Sequence, residues 1–118
     1  MARKLGITSQ DLSNGRNEYM RRRFAEAFAD HPPLLYAAGH DHNLQVFKGP
    51  DAKYSIVSGS GIMDHQEGVG WKKETIYAEA APGFMRFDVD RRGRVRLSVT
   101  KTELTGPKES MAIWLTEP

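Results

Sequence analysis

Residues 34–47 read LLYAAGHDHNLQVF, and the rest of the chain is best interpreted outward from this stretch. Residues 34–38 form an unbroken apolar run, which is typical of a β-strand buried on both faces. The run ends at Gly39, and two of the chain's four histidines follow at His40 and His42. Side chains two positions apart in an extended backbone point to the same side. The stretch therefore predicts a buried strand that leads into a pair of imidazoles.

The two imidazoles favour a metal site about as strongly as they favour an exposed polar turn. A neutral imidazole is a common ligand for zinc, iron and manganese, and Gly39 would let the backbone turn sharply or approach an ion closely. Two histidines do not complete a site, because zinc takes four ligands in structural sites and three plus water in catalytic ones. His31 is interpreted as a residue near a helix end and His65 as a surface histidine in a glycine-rich loop.

Length and composition predict one small domain or a part of a larger one. The hydrophobic share of 39% and the mean hydropathy of −0.58 are low for a domain that closes its own core. A formal charge of +2 gives no electrostatic signature for nucleic acid, and the absence of cysteine excludes disulfides, thiolate zinc sites and a cysteine nucleophile. The sequence predicts neither a signal peptide nor a membrane span, so the localisation stays open.

An apolar stripe at helical spacing predicts one helix over residues 16–30, after an irregular segment over residues 1–15. The members of the stripe are Met20, Phe24, Ala27 and Phe28. Pro32 should stop this helix, because proline disfavours the helical conformation of the residue before it.

Strands dominate the rest of the chain, and residues 34–116 are interpreted as β-rich. The predicted strands after the first one are residues 44–47, 54–58, 75–81, 85–89, 95–99 and 111–116. The clearest is a hairpin in which apolar and polar residues alternate on both arms, with Asp90 and Gly93 at the first and fourth positions of a type I turn. The sequence thus predicts an α+β fold, with one N-terminal helix followed by mostly antiparallel strands.

The motif Gly39-His40-Asp41-His42, with Asn43 after it, resembles the last metal-binding motif of the calcineurin-like metallophosphoesterases. This superfamily includes the purple acid phosphatases. The resemblance covers most of residues 12–116: YMRRRFAEAFADHPPLLYAAGHDH is similar to the helix–strand unit before the motif. YSIVSGSG and GFMRFDVDRRGRVRLSV are similar to strands that follow it in one bacterial branch.

The resemblance implies a dinuclear metal centre of iron, zinc or manganese ions within a four-layer αββα sandwich. His40 would bind the second metal and His42 the first, with Gly39, Asp41 and Asn43 supporting them. A hydroxide that bridges two such ions can attack the phosphorus of a phosphoester substrate. Relatives in this branch are often proteins of the cell envelope, which leaves an exported parent open.

The family's upstream motifs are missing from this sequence. They are Asp-x-His, Gly-Asp-x-x-Asp or Tyr, Gly-Asn-His-Asp or Glu, and a lone histidine. The resemblance therefore implies that residues 1–118 are a single partial domain, the C-terminal segment of a phosphoesterase that is inactive alone. The missing N-terminal half of the domain would then be its partner.

Three other interpretations remain open. A cupin site would need a glutamate where Gln45 and Val46 stand, which makes that reading weak. A stand-alone, non-catalytic β-rich module that binds a partner is a second alternative. A third is a self-associating chain whose metal site is completed across a dimer, with Asp41 and Asp64 as the nearby carboxylates.

Overall fold

The computed structural model describes residues 15–62 and 65–116. The chain divides into a helical unit, Met1–Pro33, and a β-rich unit, Leu34–Pro118. Across the described residues there is one helix, and seven strands form two mostly antiparallel sheets. The predicted α+β class with a β-rich body is therefore confirmed.

Helix α1 spans Gly15–Phe28, so it begins one residue earlier and ends two residues earlier than predicted. The apolar stripe is present, but α1 has no buried residue. Among the large apolar side chains, Tyr19, Met20 and Phe24 are exposed. Of the irregular segment predicted for residues 1–15, Gly15 lies in the helix, and residues 1–14 lie outside the described residues. Within the described ranges, no helix has the length and apolar character needed to span a bilayer.

The first sheet contains the strand that precedes the histidine motif. Its strands are β1 (Leu35–Ala38), β2 (Leu44–Lys48), β3 (Tyr54–Ser58) and β4 (Thr75–Glu79), in the order β1-β3-β2-β4. β1 pairs in parallel with β3, while β2 pairs antiparallel with β3 on one side and β4 on the other. β1 is therefore an edge strand, and no described strand pairs along its other edge.

The predicted burial of residues 34–38 on both faces is wrong for the part of the chain that the structure describes. Leu34 and Leu35 are half-buried, and Tyr36, Ala37 and Ala38 are exposed. The strand itself was predicted correctly, but an edge strand has a hydrogen-bonded neighbour on one side alone. Its apolar side chains consequently lack the cover that a central strand receives.

The second sheet consists of β5 (Gly83–Val89), β6 (Val95–Glu103) and β7 (Gly106–Trp114), with β6 in the centre. The predicted hairpin turn is confirmed, because the Gly93 amide donates to the Asp90 carbonyl at 2.9 Å. The Asp90 carboxylate also accepts from the Arg94 amide at 2.9 Å and from Arg94 Nε at 2.7 Å. These bonds lower the pKa of Asp90, with the Arg94 backbone bond as the largest cause.

The last strand was predicted to start at residue 111, which is wrong, because β7 starts at Gly106. Gly106 has a φ of 120°, a conformation that glycine adopts readily, and Pro107 pairs with Thr102. β7 is an edge strand, where a proline is tolerated near the start. Gly106 and Pro107 therefore lie within the strand and not before it.

Both sheets contribute to one hydrophobic core in the β-rich unit. Its buried members are Leu44, Val46, Ile56, Leu97, Val99 and Leu115. Fully burying one side chain of this size stabilises the folded state by about 1.5–3 kcal/mol. Four of these residues lie on β2 and β6, so these two strands carry most of the core.

A polar cluster, the inter-sheet cluster of Tyr77, Glu79, Lys101 and Ser110, joins β4 to β6 and β7. The Tyr77 hydroxyl donates to Glu79 Oε2 at 2.6 Å and lies 2.8 Å from Ser110 Oγ. Lys101 Nζ donates to Glu79 Oε1 at 2.9 Å. Burial, followed by the bond to Glu79, raises the pKa of Tyr77, and the same bond lowers the pKa of Glu79.

Candidate metal site

The predicted motif forms a tight loop between β1 and β2. The Asp41 amide donates to the Gly39 carbonyl at 3.0 Å, and the Asn43 amide donates to the Asp41 carbonyl at 2.8 Å. His40 is the central residue of the first of these turns and has a φ of 76°. A three-residue turn with a positive central φ is rare and strained, and such strain gathers at functional sites.

The closest approach of two backbone segments in this region does not lie at Gly39. A Cβ at Gly39 would meet nothing nearer than the Ser58 carbonyl oxygen at 3.8 Å. The close approach occurs instead at Gly59, where a Cβ would overlap the Asp41 carbonyl oxygen and lie 3.1 Å from the His40 amide nitrogen. The positive φ falls on His40 itself, so the strained residue is a candidate ligand.

The imidazole of His42 contacts the loop between β3 and β4. Its Nδ1 lies 3.0 Å from the carbonyl oxygen of His65. The Glu67 amide donates to the His42 carbonyl at 2.9 Å, so the same segment also binds the backbone of His42. His65, interpreted from the sequence as a surface histidine, is exposed as a residue but reaches the motif through its backbone.

His40 and Asp41 are neighbours in the same loop and contact each other. His40 Nδ1 lies 3.4 Å from Asp41 Oδ1, which is longer than an optimal hydrogen bond. The His40 side chain is well exposed, and the Asp41 side chain is about one-third exposed. The carboxylate of Asp41 therefore lies beside one candidate ligand.

Asn43 is a buried support for the loop. Its Oδ1 accepts from Gln45 Nε2 at 2.7 Å, and its Nδ2 donates to the Glu67 carbonyl at 3.5 Å. Its backbone carbonyl accepts from the Gly59 amide at 3.3 Å. With 3% of its surface exposed, Asn43 links the histidine motif to both of the segments that pack against it.

The described residues do not complete a metal site by themselves. They contain no group of three or more histidine, cysteine, aspartate or glutamate side chains that could hold a metal ion. Asp64, the second carboxylate considered for a site shared across a dimer, lies outside the described residues. His40 and His42 thus supply at most part of a ligand set, since even a catalytic zinc takes three protein ligands.

Two contacts of the site were missed from the sequence. Gly59 carried a signal, because SGSG at residues 58–61 reads as a strand-ending turn or an anion-binding nest. That pattern does not reveal that another backbone crosses at Gly59. The His65 carbonyl carried no signal at all, since every residue type presents the same backbone acceptor.

No protein-family model matches the sequence, and no curated protein does either. A solved structure described as "GAP50 the anchor in the inner membrane complex of Plasmodium" has a similar fold, with a TM-score of 0.60 at 20% sequence identity. The match covers 78% of this chain and 30% of that chain. This chain therefore spans less than a third of the length of the protein that it resembles in fold.

Proposed function

We propose that this chain is the C-terminal segment of a dinuclear metallophosphoesterase and supplies His40 and His42 to its two metal ions. The observation that carries the proposal is the loop at residues 39–43, which follows β1 directly and carries both imidazoles. The intact parent would have the four-layer αββα sandwich of that superfamily. His40 and His42 would help to hold its iron, zinc or manganese ions, which would supply Lewis-acid chemistry for the hydrolysis of a phosphoester.

The incomplete ligand set supports a division of the site between this chain and the rest of a parent. The described residues offer no group of three ligands, and β1 has no described strand along its outer edge. Parallel strands usually lie in sheets that are covered on both faces, whereas β1 exposes Tyr36, Ala37 and Ala38. The structural neighbour is more than three times as long as the part that matches, which leaves room for such a remainder.

Within this division, the chain's own residues hold two imidazoles and do no chemistry alone. The turn at His40 and the contacts of His42 fix where the ligands lie. We therefore expect weak binding of divalent metal and no appreciable hydrolysis of phosphoesters by the isolated chain. The missing ligands would come from the N-terminal half of the domain.

The test combines metal titration and a hydrolysis assay on four variants. Calorimetric titration with Zn²⁺ or Mn²⁺ should detect weak binding that His40→Ala and His42→Ala each reduce and the double variant abolishes. His31→Ala is the matched control, because His31 is an exposed histidine outside the motif. Rapid turnover of bis(p-nitrophenyl) phosphate by the isolated chain, lost in His40→Ala, would contradict the proposed inactivity.

The size of the native polypeptide provides an independent test. Peptides around YAAGHDHNLQ can be identified by mass spectrometry after the proteins of the source cells are separated by size. The proposal predicts a product much larger than 13.3 kDa, whose other peptides carry the missing aspartate and Asn-His motifs. A product of 13.3 kDa would argue for the second candidate.

The second candidate is a non-catalytic β-rich module that binds a partner. It is favoured by the hydrophobic core that both sheets share and by the structural neighbour's description as an anchor in a membrane complex. The module predicts a melting temperature that neither Zn²⁺ nor the double change of His40 and His42 to alanine alters. A rise in melting temperature with added metal would contradict it, because a ligand that binds the folded state stabilises that state.

A further inference from the structure

We propose that residues 65–67, the positioning segment, hold the His42 imidazole in the tautomer that carries its proton on Nδ1 and leaves Nε2 as the free acceptor. His65 is thus a positioning residue that acts through its backbone carbonyl. The use of Nε2 as a metal ligand rests on the proposed function, whereas the tautomer itself does not.

The tautomer follows from the chemistry of the contact. His42 Nδ1 lies 3.0 Å from the His65 carbonyl oxygen, a normal distance for a hydrogen bond. A carbonyl oxygen has no hydrogen to donate, so Nδ1 must be the donor. In neutral imidazole one ring nitrogen is a donor and the other an acceptor, which leaves Nε2 with the lone pair. A backbone carbonyl that fixes a histidine in this way is a common arrangement behind metal ligands.

The positioning segment is itself attached to the motif at two further points. The Glu67 amide donates to the His42 carbonyl at 2.9 Å. The Glu67 carbonyl accepts from Nδ2 of Asn43, a residue that is 97% buried, at 3.5 Å. The ring, the backbone of His42 and the next side chain along therefore all contact one three-residue segment. Rotation of the ring away from the His65 carbonyl would break the bond from His42 Nδ1 and leave the two bonds of Glu67 in place.

The opposite side of the motif is fixed by Gly59, the residue that follows β3. The Gly59 amide donates to the Asn43 carbonyl, and the Asp41 carbonyl occupies the space of a Cβ at Gly59. The loop that carries His42 is thus held between Gly59 and the positioning segment. A ring that hydrogen-bonds from such a fixed backbone has one favoured orientation.

The conformation of His65 provides a way to test its role. His65 has a φ of 61°, the left-handed region that glycine adopts freely and β-branched residues avoid. A glycine at position 65 keeps this conformation and deletes the imidazole, while a valine deletes the imidazole and disfavours the conformation. The pair therefore separates the backbone carbonyl of residue 65 from its side chain.

The experiment records long-range ¹H–¹⁵N spectra of the histidine side chains in the metal-free chain, at an alkaline pH where free imidazole is neutral. These spectra identify the protonated nitrogen of each ring. We expect His42 to be protonated on Nδ1 in the native chain and in His65→Gly. His65→Ala should show a partial shift toward protonation on Nε2, and His65→Val a larger one. Exposed His31 serves as the internal reference for an unrestrained ring.

Protonation of His42 mainly on Nε2 in the native chain would overturn the proposal, and so would identical His42 spectra in the glycine, alanine and valine variants. The alanine variant keeps the comparison decisive if the valine variant does not fold. Loss of the tautomer in His65→Gly would show that the side chain of residue 65, not its carbonyl, is responsible, and would also overturn the proposal.

Zn²⁺ titration of the same samples separates this inference from the proposed function. If both hold, Zn²⁺ perturbs Nε2 of His42 while Nδ1 keeps its proton, and His65→Val binds Zn²⁺ about tenfold more weakly than His65→Gly. If His42 has the expected tautomer and Zn²⁺ perturbs neither imidazole, the proposed function fails and the positioning of His42 stands.

Discussion

Strands β1 and β6 both carry apolar side chains, yet the structure buries those side chains to different extents. β6 lies between β5 and β7, and its Leu97 and Val99 are fully buried. β1 pairs with β3 alone and exposes three of its four residues. The difference shows that the burial of a strand's apolar side chains depends on where the strand lies in its sheet, which the strand's own sequence does not supply.

The two strands also differ in whether the described residues cover their apolar side chains. The apolar side chains of β6 itself pack within the described residues, since Leu97 and Val99 form part of one core with residues of β2 and β3. β1 carries exposed apolar residues directly before the histidine loop. If the proposed function is correct, the outer edge of β1 is where the rest of a parent domain would add cover.

The largest expected effect comes from the core beneath β6. Leu97→Ala should lower the free energy of unfolding by about 2–5 kcal/mol, because it deletes a buried side chain and leaves a cavity. Leu35→Ala on β1 should cost less, since Leu35 is half-buried. Urea denaturation measures both.

Leu104→Ala is the matched control for these leucines, because Leu104 is 100% exposed and should change stability by no more than about 0.5 kcal/mol. An equal loss in the variants of Leu35 and Leu97 would break the contrast between β1 and β6. It would mean that β1 is buried as deeply as β6 in solution.

The next largest effect tests the loop that follows β1. The side chains at the end of β1 are exposed, whereas the backbone of this loop is closely packed. Gly59→Ala should cost about 1–3 kcal/mol, because the new Cβ overlaps the Asp41 carbonyl oxygen and one backbone must move. Gly61→Ala, two residues along with nothing within 4 Å, should be nearly neutral. Thermal unfolding compares them, and equal melting temperatures would show that the loop does not pack on Gly59.

These predictions mark where the sequence is informative about the fold. The alternation on both arms of the β5–β6 hairpin predicted the strands and the turn at Asp90 and Gly93, because that information is local. The start of β7 was predicted too late, since the sequence does not show that this strand lies at an edge, where Pro107 is tolerated. The burial of β1 was mispredicted for the same reason: strand order is a property of the whole sheet.

The candidate site, like the fold, could be predicted from the sequence only in part. His40 and His42 could be identified, because ligand chemistry belongs to side chains and their spacing. The strained turn at His40 could not be identified, because it depends on backbone conformation. The acceptor at His65 could not be identified either, because it lies 23 residues from His42 in sequence. Gly59 could be identified as a turn glycine, but not as the point after β3 where the backbone of the motif packs closely.

A smaller effect tests the inter-sheet cluster, which connects the sheet of β1 to that of β6. Because the bond from Tyr77 holds the pKa of Glu79 below its usual value, the folded chain binds this proton more weakly than the unfolded chain. The stabilisation is present above about pH 4.3 and is lost as the pH falls through the lower pKa of the folded state. Glu79→Gln should therefore flatten the decrease of stability in acid.

The magnitude should stay below about 1 kcal/mol, because the Glu79–Lys101 pair is partly exposed. Urea denaturation from pH 3 to pH 7 measures it, and an unchanged acid slope in Glu79→Gln would exclude the carboxylate as a source of the acid sensitivity.

Tyr77→Phe is the companion variant for alkaline pH. The raised pKa of Tyr77 predicts that the native chain loses stability above about pH 10, and Tyr77→Phe should reduce that loss.

The smallest expected effect is the most direct test of β1. Ala37→Lys places a charge on an exposed edge strand and should change the stability of the isolated chain by no more than about 0.5 kcal/mol. Ala52→Lys is the matched change at a position that is 3% exposed, and it should cost several times more, because it buries an ammonium group. A large loss in Ala37→Lys would mean that something within this chain already covers β1. If Ala37→Lys is neutral in the isolated chain but prevents association with the remainder of a parent, the edge of β1 is the joining surface, because lysine on an edge strand opposes pairing with another chain.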